Sequence, residues 1–205
     1  MDIVRFEEES FVRILVLFAH PVETSFNAAI HAKLLATLRA RGHEIDDCDL
    51  NAEGFDPVLS RQDRVDYHNV NVNRARVRPY VDRLLAAEAL VLSYPVWNMG
   101  FPAILKGFLD RVFLPGVSFD LKDDGTYTPS LHNIKRLAAV CTYGGGRLLS
   151  MYLGDPPRHV VKRVLRALCV PGAPCDYLAH YDMNHTKPER RAAFLKEVEA
   201  RFATW

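Results

Sequence analysis

Apolar residues recur along this chain in two rhythms, short unbroken runs and longer stretches with helical spacing. Arg13-Ile-Leu-Val-Leu-Phe-Ala19 is too short for a helix and rich in β-formers, so it predicts a buried strand. His20-Pro21 bounds it. Phe26, Ala29, Ile30, Leu34 and Leu38 then repeat at amphipathic spacing, with Ser25 placed as N-cap and Gly42 as the residue that ends the helix. Glu44–Leu50 reads as a second strand of weaker pattern. Strand, helix and strand within the first 50 residues form a βαβ unit.

The alternation continues. Asn51–Val70 reads as irregular. Asn71–Ala87 regains helical spacing through Val77, Val81, Leu84 and Leu85, with Pro79 resetting its start. Ala89–Ser93 is a third strand and Phe101–Phe113 the next helix, with Pro102 in its first turn. Leu114–Asn133 is a long excursion in which Asp123-Asp-Gly125 signals a hairpin tip. Lys135–Thr142 is a fourth strand, Pro156–Leu168 a helix and Ala173–Ala179 a fifth strand. Thr186-Lys-Pro-Glu189 resembles a capping box before a final helix carrying Ala192, Leu195, Val198 and Phe202. The pattern predicts an α/β fold, a doubly wound five-stranded parallel sheet with helices on both faces.

Length changes this picture little, since 205 residues suit one domain. Residues 1–12 read as a loose N-terminal leader and 13–205 as the domain. Met1–Val12 carries Glu7-Glu-Glu9 and lacks the basic and apolar regions of a signal peptide. Formal net charge is +1, so no bulk field favours nucleic acid or an anionic membrane. No apolar run reaches the ~20 residues of a membrane helix. Cys48, Cys141, Cys169 and Cys175 contain no C-x-x-C pair. Four cysteines at this density suit a reducing compartment, and a cytoplasmic protein is expected, with no nucleic-acid partner and no membrane insertion.

Three strand-to-helix loops carry the candidate chemistry. In His20-Pro-Val-Glu-Thr-Ser-Phe-Asn27 the first helix begins, and free N–H groups there suit a phosphate. Thr24, Ser25 and His20 offer further hydrogen bonds; the plain alternative is a capped loop. Tyr94-Pro95-Val96-Trp97-Asn98-Met99-Gly100 follows the third strand and offers a flat aromatic beside backbone N–H groups. Trp97 reads as core or as the wall of a planar ligand, and its neighbours favour the wall. Thr142-Tyr143-Gly144-Gly145-Gly146-Arg147 permits close backbone approach, with Arg147 offering charge to a phosphate or an electron-rich intermediate. Its plain alternative is a flexible connection. All three loops are placed at the carboxyl edge of the sheet, where doubly wound folds bind ligands.

Other chemistries lack their motifs. G-x-G-x-x-G, Walker A, H-E-x-x-H and G-x-S-x-G are all absent. No Cys/His set has zinc spacing, and His180 and His185 read as surface or loop residues. Cys141 reads as packed. Asp155-Pro-Pro-Arg158 is a rigid helix start or faces a substrate.

At these residues the chain resembles the flavodoxin-like NAD(P)H:quinone oxidoreductases, which include DT-diaphorase and the bacterial modulator-of-drug-activity proteins. The likeness covers most of Arg13–Trp205 and rests on His20 with Thr24-Ser-Phe-Asn27, on Phe55-Asp-Pro-Val58, on Tyr94–Arg111 and on Thr142–Gly145. Pro102-Ala-Ile-Leu-Lys-Gly107 with Arg111-Val-Phe113 is its most specific part. The resemblance implies a non-covalent FAD or FMN. By position, His20, Phe26 and Asn27 would hold its phosphates, while Val96, Trp97, Asn98 and Met99 would flank the ring. Thr142, Tyr143, Gly144 and Gly145 would meet its polar edge. It implies NAD(P)H as co-substrate, a quinone-like acceptor and a homodimer that completes the active site. The family's assisting Tyr and His are matched by Tyr152 and His159, Tyr152 with two extra residues before it and His159 one residue further on. An azo- or nitro-reductase, a flavodoxin-like electron carrier and a regulatory subunit of a potassium-efflux system are the alternatives within this fold.

Overall fold

The computed structural model describes residues 11–122 and 124–205. The expected leader therefore lies almost wholly outside the described residues, as does Asp123 in the expected hairpin tip. Five parallel strands form the main sheet: β1 (Arg13–Phe18), β2 (Glu44–Asp49), β3 (Ala89–Val96), β6 (Arg136–Tyr143) and β7 (Cys175–His180). Their spatial order is β2-β1-β3-β6-β7. The two remaining strands, β4 (Phe119–Leu121) and β5 (Tyr127–Pro129), form an antiparallel hairpin inside the long excursion.

Strand alternation sorts the core into two layers. Ile14, Val16, Val91, Ala138 and Val140 face one side, where Ile30, Leu34 and Leu38 of α1 (Phe26–Ala40) pack with Phe194, Val198 and Phe202 of the last helix. Leu15, Leu17, Leu90, Leu92 and Leu137 face the other. There they meet Val81 and Leu84 of α3 (Arg78–Ala86) and Leu105, Phe108 and Val112 of α4 (Ala103–Val112). Helices thus cover both faces. β2 is weakly patterned because it is an edge strand, with Cys48 its one fully buried residue. Its Asp46 accepts from Arg83 of α3 instead of packing apolar surface.

Local signals behave unevenly. Ser25 caps α1, its hydroxyl accepting from the Ala28 N–H at 3.1 Å, and Gly42 follows the helix at φ +85°. The expected irregular segment contains a short α2 (Arg61–Asp66) closed by a Ser60–Asp63 capping box. The helix expected from Asn71 begins only at Arg78, with Pro79 in its first turn. The region after β6 holds α5 (Arg147–Tyr152) and α6 (Pro156–His159). α6 runs on through a π-helical stretch (Val160–Leu165) into α7 (Arg166–Leu168). The expected capping box at Thr186–Glu189 does not form. Lys187 precedes α8 (Pro188–Phe202), and the Thr186 hydroxyl sits 3.3 Å from His180 Nε2 instead. Among the described residues, no helix is long and apolar enough to cross a membrane.

Candidate active site

β1 has β2 on one side and β3 on the other, so successive connections leave in opposite directions between β1 and β3. That switch opens a crevice at the carboxyl edge of the sheet. β3 runs three residues beyond the predicted Ser93 and stays paired with β6 as far as Val96–Tyr143. Ser93 turns its backbone toward β1, where its carbonyl accepts from the Ala19 N–H. Two residues on, Pro95 turns the same way, but β1 has ended by then. The missing N–H of Pro95 therefore leaves no ladder bond unmade. The side chains of Pro95 and Val96 are buried and serve as the floor of the loop that follows.

That loop is a tight reversal. Trp97 and Gly100 exchange backbone hydrogen bonds at 3.2 and 2.9 Å, with Asn98 at φ 50° and Met99 at φ 57° between them. Two successive left-handed residues make a type I′ turn, costly for methionine. Strain of this kind persists where surrounding structure imposes it, commonly at ligand sites. Trp97 is 46% exposed, which places it outside the core. Its indole meets the His20 ring edge-on, with centroids 5.7 Å apart, so the loops after β1 and β3 touch. His20 Nδ1 accepts from the Val22 N–H at 3.0 Å, which leaves Nε2 as the ring's donor. Burial lowers the His20 pKa, which disfavours the charged ring.

Asn27 joins the first loop to the glycine loop. It is 4% exposed, and its Oδ1 accepts from Thr142 Oγ1 at 2.7 Å. Its Nδ2 is buried without a partner. An unpaired buried amide at the start of a 15-residue helix fits an anionic group such as a phosphate. Ser25 is committed as the cap, and Thr24 is exposed. The Phe26 ring packs away toward His180 and Phe194, so only its backbone is available to a ligand.

The glycine loop is propped from behind. The Gly145 carbonyl accepts from the Asp182 N–H at 2.9 Å and the Gly144 carbonyl from the Asn184 N–H at 3.5 Å. This support from the loop after β7 had no signal in the sequence beyond the Asp-Met-Asn-His turn chemistry. The Tyr143 phenol points inward to Asp155 and Tyr177, leaving its backbone alone at the site. His180, read as a surface or loop residue, is instead the buried last residue of β7, beside Phe26 and under α8. Tyr152 is 87% exposed, and it makes no hydrogen bond to His159 among the described residues. Next to Gly100 and Phe101 lies an apolar cavity of about 790 Å³, walled by α4, by Phe119 and Tyr127 of the hairpin, and by Val160 and Val164.

Three loops meet at one edge of a 2-1-3-6-7 sheet, and the sequence matches a known family pattern, described as a flavodoxin-like fold, over residues 12–203. The chain belongs to the flavodoxin-like fold family. Within this family it is 26% identical over 214 residues to NAD(P)H dehydrogenase (quinone) 1 of Rattus norvegicus, covering 94% of this chain and 77% of that protein. It is 36% identical over 106 residues to an uncharacterized NAD(P)H oxidoreductase of Haemophilus influenzae, covering 51% of this chain and about half (52%) of that relative. Among solved structures, Smu.1420 from Streptococcus mutans superposes with TM-score 0.82 at 27% identity, covering 94% of this chain and all (100%) of that one. An FMN-dependent NADH-azoreductase of Bacillus anthracis, solved in complex with FMN, shares the fold at TM-score 0.75 and 16% identity, covering 95% and 99% of the two chains.

Burial disfavours the thiolate form of the cysteines in this fold. Burial pushes the thiols of Cys48, Cys141 and Cys169 up to about 12, and raises that of Cys175. At pH 8 a thiol reagent should label the folded protein slowly and mainly at the half-buried Cys175, and all four residues after denaturation. Rapid labelling of Cys141 in the folded protein would contradict this packing.

Proposed function

We propose that this protein is a flavin-dependent NAD(P)H oxidoreductase that reduces quinones or similar acceptors by two-electron hydride transfer. The observation that carries the reading is the Thr142–Asn27 link, which ties the glycine loop to a helix start that keeps one buried amide donor free. Exposed Trp97 beside His20 supplies the flat wall. The relatives named as NAD(P)H dehydrogenases and oxidoreductases support the same reading.

In this reading Asn27 Nδ2, His20 Nε2 and the first N–H groups of α1 hold the flavin phosphate. Trp97, Asn98 and Met99 bound the ring, and the N–H groups of Gly144 and Gly145 meet its polar edge. When bound, a flavin would supply the redox chemistry, hydride transfer between a nicotinamide and the acceptor. The protein orients the rings, and the apolar cavity excludes water from the acceptor. Solvent would supply the one proton that accompanies the hydride to the acceptor. The homodimer belongs to this reading as well. Leu148, Leu149, Met151 and Tyr152 stand exposed together on α5, a surface that a second copy covers. Tyr152, exposed on that same surface, acts in it only from the second copy across the closed site, and His159 takes no part in hydride transfer.

The test is purification and a visible spectrum, then chromatography of the heat-released cofactor. A yellow protein releasing FAD or FMN is the expected result. A colourless protein that takes up neither flavin contradicts the proposal.

A further inference from the structure

A second, smaller cavity of about 300 Å³ lies where the glycine loop runs into α5, and its character is the reverse of the apolar one. Arg147, Arg158 and His159 line it, with Asp155 as the one carboxylate among its described lining residues. That carboxylate is already engaged. Asp155 is buried at φ 42°, its Oδ1 accepting from the Tyr143 hydroxyl at 2.5 Å and its Oδ2 from Arg158 Nε at 2.7 Å. Arg158 Nη2 donates to the Tyr181 hydroxyl at 2.8 Å, and the guanidinium carbon lies 4.2 Å from the centre of the Tyr177 ring. Tyr143 in turn stacks on Tyr181 at 4.6 Å.

These contacts hold the Arg158 guanidinium in one orientation. Nη1 is left with no acceptor among the described residues. A guanidinium fixed before the ligand arrives loses little further freedom on binding. Arg147 is exposed and makes no hydrogen bond or ion pair among the described residues. Two guanidinium groups against one spent carboxylate leave the cavity positive. The volume is too small for a whole dinucleotide and suits one phosphate with part of its sugar. Arginine forks are the usual partners of a phosphate monoester, including the one that distinguishes NADPH from NADH.

We propose that this cavity takes the 2′-phosphate of NADPH, and that Arg147 and Arg158 select NADPH over NADH. The inference rests on the oxidoreductase reading for its ligand, and on the cavity alone for its charge and shape. The protein as purified should bind 2′,5′-ADP at least about tenfold more tightly than 5′-AMP by titration calorimetry, about 1.4 kcal/mol. Arg147→Ala should erase that difference. Arg158→Lys, which keeps the charge beside Asp155 but loses the fork, should reduce it several-fold. The kcat/KM ratio of NADPH to NADH should fall at least about tenfold in Arg147→Ala. Equal binding of the two nucleotides by the wild type, or an unchanged ratio in the variant, overturns the proposal. Calorimetry needs no turnover, so the two readings fail separately. A colourless protein that discriminates the nucleotides through Arg147 keeps the cavity and loses the oxidoreductase. A yellow protein with one NADPH preference in both forms keeps the oxidoreductase and loses the cavity.

Discussion

Gly107→Ala lowers the thermal unfolding midpoint by ~2–8 °C, against the direction that helix propensity dictates. In an ordinary helix interior, alanine is about 1 kcal/mol better than glycine. Here α4 crosses the Phe55–Val58 segment so closely that a Cβ on Gly107 would overlap the carbonyl oxygen, Cα and Cβ of Pro57. Most of that obstacle is backbone, so relief requires moving the helix. Overpacking of this kind costs about 1–3 kcal/mol, and each kcal/mol is worth roughly 2–4 °C in a chain of this size. The neighbouring Arg111 explains why the contact is rigid. It is buried, donates to the Asp56 carbonyl, pairs with Asp63 at 3.5 Å and lies 5.7 Å from the Phe55 ring centre. The two motifs Phe55-Asp-Pro-Val58 and Lys106-Gly107…Arg111 are thus the two halves of one interlock. They hold the helix that follows the Trp97 turn. An unchanged or raised midpoint in circular-dichroism melting would remove this explanation.

Asn27→Asp weakens flavin binding by about a hundredfold while leaving the protein folded. The substitution is nearly isosteric. It keeps an acceptor for Thr142 Oγ1, and its charge is tolerated at the start of α1. What it removes is the free Nδ2 donor, and it sets a carboxylate against the phosphate. A hydrogen bond to a charged group contributes about 1.5–3 kcal/mol, which corresponds to roughly tenfold to a hundredfold in Kd, with repulsion added. Equilibrium dialysis of the apoprotein against FMN and FAD reads the effect, with the melting midpoint as the control for folding. Wild-type affinity in the variant would take Asn27 out of the phosphate site.

The central architecture was legible because the strands between other strands are buried on both faces. Ile14–Phe18, Ala89–Leu92 and Leu137–Cys141 appear as unbroken apolar runs for that reason. Edge strand β2 was fainter, since one of its sides answers to Arg83 and solvent. α2 was missed because it buries no residue and so has no apolar stripe, although Ser60-Arg-Gln-Asp63 carried its cap. The loops of the site were legible as positions after strands. Their internal geometry was not. Nothing local announces that Tyr143 bonds to Asp155, or that Asn184 supports Gly144, because those contacts join segments distant in sequence or brought together only by folding. Thr186–Glu189 had the pattern of a cap, but the Thr186 hydroxyl lies against buried His180, and tertiary structure overrode the local signal.

The most direct measurement is anaerobic mixing of the purified, flavin-loaded protein with NADPH or NADH, followed by one equivalent of a quinone. The nucleotide should bleach the flavin's visible band in a single two-electron step, and the quinone should restore it in stoichiometric amount. A flavin that stays oxidised with both nucleotides, or a bleached protein that the quinone does not reoxidise, would contradict the oxidoreductase reading.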